Sequence, residues 1–192
     1  RNFRSGGWSG SGNVRYSGCS VRPVAETNIC PDDHHPHLID LGLPSGTKWS
    51  CCNVGAPSPE GSGGHYAWGE TEEKSVYSRE TYLHYNKEED NYVHIGDEIS
   101  GTQYDVARVK WGAPWRMPTK SEIQELRENC FYEPVRQNGV IGVRLTGPNG
   151  NSVFLPMAGK RDDADLYNGG GDYWSGTLYS SGEDAAYGFG IH

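Results

Sequence analysis

Long apolar runs are missing from this 192-residue chain: none approaches the roughly 20 residues that a membrane-crossing helix requires, so no such span is expected. Nor does it open with the charged, apolar and small-residue succession of a secretory signal peptide. Basic residues are in the minority. With 17 Lys and Arg against 25 Asp and Glu the formal net charge is -8, a field that repels phosphate backbones, and nucleic acid is excluded as an expected partner. Signatures of chemistry are also lacking: there is no CxxC pair or zinc spacing, no HExxH, no GxSxG elbow and no EF-hand loop. No catalytic residue, cofactor or enzymatic activity is expected. Sustained helical patterning is absent as well. Its 27 glycines and 11 prolines rule out a helical bundle or coiled coil and assign an unusual share of the chain to turns. What the chain does have is aromatic surface, with six Trp and twelve Tyr, enough to bury and therefore to fold. Its length gives room for one ordinary domain, or one domain and a fragment.

Residues 1–18 are a Gly/Ser-rich stretch with interleaved Arg, Trp and Tyr, followed by a short strand, SVRPV, at 20–24. Residues 25–37 (AETNICPDDHHPH) lack periodicity and read as a linker, and 38–192 as the main body. In that body LIDLGLPSG and TKWSCCNVG are extended pieces, and 71–101 reads as a long polar loop. Two helices are expected. The first is capped by Thr102 and runs to Lys110. The second starts at Thr119, with Glu122 three residues on completing a capping box, and packs inward through Ile123, Leu126 and Cys130. Val143 and Leu145, then Val153 and Leu155, alternate about a Gly-Pro-Asn-Gly turn as a hairpin. The remainder, 158–192, reads as loop with short strands at 173–175 and 185–189.

LIDLGLPSGTKWSCCNVGA, YAWGE, GTQYDVARVKWGAPWRMPTKSEIQEL, GVRLTGPNGNSVFLPMAGKR, YWSGT and SVRPV together resemble the Fibrobacter succinogenes major paralogous domain. That family is common in secreted and surface proteins of gut Bacteroidetes. The resemblance implies an α+β, C-type lectin-like domain with two short helices, small antiparallel sheets and a long loop-rich region. It further implies an extracellular or cell-surface location and non-enzymatic binding or adhesion. In the family SVRPV closes the domain, whereas here it lies near the N-terminus, so residues 1–24 are identified as the closing loop and strand, displaced. Three arrangements supply that strand: folding back into its own domain, donation to a neighbouring copy, or an array of tandem repeats cut at an arbitrary point. Completion across copies, in an array or filament, is the favoured expectation. Because first and last strands lie together in such domains, the resemblance also suggests a disulfide between Cys19 and Cys51.

Asp32, Asp33, His34, His35 and His37 form a cluster that reads as linker rather than as a metal site. Asp162, Asp163, Asp165 and Asp172 read as a solvated acidic loop, without the EPN or WND motifs of calcium-dependent lectins. No metal is assigned. Trp49, Trp68, Trp111, Trp115 and Trp174 are expected in the core. Trp8 instead lies among Arg4, Asn13, Arg15 and Tyr16, a composition like that of antibody paratopes, with a plain Gly/Ser linker as the other reading. With Tyr179, Asp184 and Tyr187 these residues are the candidate recognition surface for a glycan or protein ligand. The alternative function is a structural repeat of a surface filament, its partner being further copies of itself.

Overall fold

The two ends of the chain meet in one ladder. In the computed structural model, which describes residues 8–26, 38–180 and 182–192, strand β1 (Trp8–Val14) runs antiparallel to β13 (Ala185–Ile191), with Trp8 opposite Ile191 and Val14 opposite Ala185. On its other side β13 pairs with β12 (Gly171–Leu178). The chain then continues from β1 into the middle of the molecule. Ser20 bridges Tyr173, the Val54 N–H donates to the Val21 carbonyl, and the Ser50 N–H donates to the Pro23 carbonyl. Val24–Ala25 (β2) pairs with Lys48–Ser50 (β4), which pairs in turn with Leu38–Ile39 (β3). SVRPV therefore sits inside its own chain. Of the three arrangements, the one seen in this single chain is folding back into its own domain, with β1 beside β13.

Among the described residues the remaining elements are two helices and further small antiparallel sheets, a mixed arrangement of the α+β or mostly-β kind. Among the described residues no helix is long and apolar enough to cross a membrane. The expected hairpin is present as β8 (Val140–Thr146) and β9 (Ser152–Pro156), with Val143 opposite Leu155 and Leu145 opposite Val153. It gains a third strand, β7 (Phe131–Gln137). Pro134 argues against a strand in the sequence, yet β7 is an edge strand, where a missing N–H is tolerated. In the long polar region a 3-10 turn at Arg79–Thr81 and a two-residue hairpin, β5 (Tyr85–Asn86) and β6 (Asn91–Tyr92), replace continuous loop. Another small hairpin joins β10 (Lys160–Asp162) to β11 (Asp165–Tyr167).

The first helix, α1 (Val106–Trp111), is capped by Asp105 rather than Thr102: the buried carboxylate accepts the Ala107 and Arg108 N–H groups, and also those of Gly101 and Met117. Thr102 serves one turn earlier, donating its hydroxyl to the Ile99 carbonyl. The second, α2 (Lys120–Asn129), begins with the capping box of Thr119 and Glu122, and Ile123 and Leu126 are buried. They meet Trp49, Val143, Leu145, Leu155, Tyr173 and Phe189 in one core cluster. Trp68 and Trp174 anchor a second, with Val21, Val54 and Met117. Trp115 is buried too, while Trp111 is half-buried and packs edge-on against it.

The Cys19–Cys51 disulfide is not formed. Cys19 is a buried thiol whose backbone bridges Tyr66, whereas the Cys51 sulfur lies 3.2 Å from that of Cys52. Cys30, Arg4 and the Asp32–His37 cluster fall outside the described residues.

Two polar anchors hold the closing segment and α2. The fully buried Arg22 donates from Nε to Asn53 Oδ1 (2.8 Å), and from its two terminal nitrogens to the carbonyls of Ser50 (3.2 Å) and Phe154 (2.9 Å). Replacing it with Met strands three buried acceptors at roughly 1 to 3 kcal/mol each, so Arg22→Met should destabilise the fold by about 3 kcal/mol or more. An unshifted urea midpoint would contradict this. Glu122 receives both terminal nitrogens of Arg116 at 2.7 Å as well as the Thr119 N–H at 2.9 Å. Burial pushes its carboxyl pKa up, but Arg116 and Thr119 outweigh burial and hold it below the ordinary 4.5. A depressed folded-state pKa contributes stability above the unfolded value and loses it as pH falls through the folded one. Stability should thus decline as pH drops below about 4.5, and Glu122→Gln should remove part of that slope. Identical acid-unfolding curves for parent and variant would refute the linkage.

Candidate binding surface

The candidate surface is built on missing side chains. Residues directly opposite in an antiparallel pair share a face, and here Gly10 lies opposite Phe189 and Gly12 opposite Tyr187. A Cβ on Gly12 would stand 2.8 to 3.1 Å from three ring atoms of Tyr179, and one on Gly10 would collide with the Tyr187 hydroxyl. Both rings thus rest on bare β1 backbone. They also rest against each other, with centroids 6.4 Å apart and planes 15° from parallel. The Lys120 ammonium lies 5.0 Å from the centre of the Tyr187 ring, within cation–π range.

A groove of about 450 Å³ runs beside Tyr187, between α2 and β1, with Ser9, Gly10, Gln124, Arg127 and Glu128 on its walls. On the other side of the tyrosine pair a shallower depression of about 420 Å³ is lined by His94, Asp97, Leu178, Tyr179 and Glu183. The pair therefore joins two concavities, one flanked by Lys120 and Arg127, the other edged with carboxylates. The arrangement offers flat amphipathic rings with both signs of charge close by.

The other sequence candidates are distributed differently. Asp184 is exposed in the turn between β12 and β13, its carbonyl accepting the Arg15 N–H at 2.9 Å. Asn13 faces the opposite side of the sheet from Gly12 and donates to Asp172 Oδ1 at 3.3 Å across β13, a reach that Gly188 leaves open. Arg15, proposed above as a recognition residue, is 1% exposed. Its guanidinium donates to the Tyr82 hydroxyl and to the carbonyls of Glu183 and Val93, and lies 5.0 to 5.5 Å from the ring centres of Trp68, Tyr82 and Tyr92. It is an internal clamp, buried away from any ligand surface. Tyr16 is half-buried against the Tyr77–Tyr82 cluster, where burial and the nearby Asp162 push its phenol pKa up. For Trp8 only its backbone pairing with Ile191 is described, which makes it part of a strand rather than a free linker.

Lys120, Gln124, Arg127 and Glu128 were not foreseen as site residues. The available signal was the spacing of three and four on α2, which sets them on a face adjoining Ile123, itself on the groove wall. Among the described residues no three His, Cys, Asp or Glu side chains converge as metal ligands. Asp162 and Asp165 face each other across the β10–β11 turn, with Asp163 between them at φ +49°, while Asp172 is engaged with Asn13.

Comparison with protein-family models, with curated proteins and with solved structures gives no match to this chain.

Valine is a better strand former than glycine, so Gly12→Val would stabilise β1 if the site were open. Because the ring of Tyr179 occupies that space, the variant should instead lose about 1 to 3 kcal/mol. Urea unfolding of Gly12→Val decides the sign, and a gain in stability would displace Tyr179 from this position.

Proposed function

We propose that this protein is a non-enzymatic binding or adhesion module of a bacterial cell surface, with a C-type lectin-like fold related to the Fibrobacter succinogenes major paralogous domain. The Tyr179–Tyr187 pair is its ligand platform. The observation that carries this reading is the pairing of those half-buried rings over glycine backbone, between two concavities and beside Lys120. Rigid tyrosines give contact area at low entropic cost, and pockets of roughly 300 to 1,000 Å³ suit small ligands, which favours the end of a glycan chain over a flat protein surface. The resemblance in sequence supplies the surface location. Further copies of the chain remain the partner in the alternative, filament reading. Within one chain residues 8–14 pair with β13 and residues 24–25 with β4, and a filament built by strand donation would exchange these same pairings between copies.

The test is a glycan array and a protein pull-down with the full chain, followed by titration of any hit against Tyr187→Ala and Lys120→Ala, with folding checked by urea unfolding. Binding that weakens at least tenfold in both folded variants supports the platform. Binding indifferent to both substitutions overturns it. Concentration-dependent polymers in sedimentation, without glycan binding, would favour the filament.

A further inference from the structure

Along a strand, successive side chains point to opposite faces, so adjacent cysteines in extended backbone hold their sulfurs far apart. Cys51 and Cys52 do not. The chain leaves β4 at Ser50 and bends at 51–52, and the two sulfurs come within 3.2 Å of each other. The bend is pinned on both sides. The Ser50 hydroxyl donates to the Cys52 carbonyl at 2.6 Å, Arg22 donates to the Ser50 carbonyl and to Asn53 Oδ1, and Asn53 Nδ2 donates to the Ser62 carbonyl at 2.9 Å. The pair thus sits between two residues fixed by one buried guanidinium. A disulfide bond measures about 2.05 Å, so closure asks for an approach of only about 1.2 Å.

We propose that Cys51 and Cys52 are a two-electron redox site, a vicinal dithiol that closes to a disulfide across their shared peptide bond. The oxidant is a small-molecule disulfide, RS–SR. One cysteine, as thiolate, attacks a sulfur of RS–SR and expels RS⁻, leaving a mixed disulfide on the protein. The second cysteine gives up its proton and attacks the protein-side sulfur of that mixed disulfide, expelling the second RS⁻. The two protons released by the protein end on the two RS⁻ groups, and two electrons pass from protein to oxidant. Burial raises the thiol pKa of Cys130 to about 12 and that of Cys19 well above the ordinary value. At 3% and 1% exposure Cys51 and Cys52 meet the oxidant through local opening, so the exchange is slow and is best read at equilibrium.

The full-length reduced chain is equilibrated in buffers of increasing oxidised-to-reduced glutathione ratio, quenched with N-ethylmaleimide and digested with trypsin without reduction. The fragment that runs from Trp49 to Lys74 carries both residues. The expected result is progressive conversion of that fragment to a form two hydrogens lighter with neither cysteine alkylated, a form that Cys51→Ser cannot produce. Full alkylation of both residues even in oxidised glutathione alone overturns the proposal. So does a link from either residue to Cys19, Cys30 or Cys130.

Discussion

A buried arginine with only neutral acceptors holds this molecule together. Arg22 lies in the closing segment, and its three hydrogen bonds reach the end of β4, the loop after it and the middle of β9. Burial lowers its pKa, so its charge is retained against desolvation, and the compensation comes from carbonyl and amide dipoles aimed at it. Arg15, seven residues earlier, repeats the device with two carbonyls, a phenol and three aromatic faces. From Arg15 to Val24 the segment crosses both tryptophan-centred clusters, contributing Val21 to one and Val24 to the other. Elements otherwise connected only by short strands are thereby joined at the centre. Such a segment cannot be removed piecemeal, because each guanidinium leaves several buried oxygens behind.

Glycine placement then decides what each face of the β12–β13–β1 sheet does. On one face Gly10 and Gly12 are the floor beneath two tyrosine rings. On the other, Gly188 and Gly190 let side chains of the outer strands reach across the middle one, as Asn13 does to Asp172. Glycine weakens a strand through lost packing and greater chain entropy. Here that loss is offset by rings that bury area against backbone, and the tyrosine pair rests on a paired strand, β1.

Much of this was legible in the chain. The capping box at Thr119 and Glu122 is written in four consecutive residues, and the alternation about Gly147-Pro148-Asn149-Gly150 specifies its hairpin register, because both signals are local. The α1 cap was misread because Asp105 and Thr102 are both competent caps; what selects Asp105 is the Met117 N–H, twelve positions on and brought near only by tertiary folding. Arg15 and Tyr16 looked like surface because arginine and tyrosine in a Gly/Ser setting usually are. Their burial depends on Trp68, Tyr82 and Tyr92, which no short-range pattern connects to them. The destination of SVRPV was equally beyond local reading, since a displaced strand reads the same whether its acceptor is its own sheet or a neighbour's.

The proposed platform inherits this long-range character. Gly10 and Gly12 come from one end of the chain, Tyr179 and Tyr187 from the other, and Lys120 and Arg127 from the helix between. The glycine floor reaches the tyrosine rings only when β1 is paired with β13, and β1 leads directly into the segment that carries Arg15 and Arg22. A ligand seated there has affinity for the closed fold alone, so its binding free energy adds to the stability of closure, by about 2.7 kcal/mol at a concentration one hundred times Kd. Recognition and closure of the chain are in that sense one equilibrium.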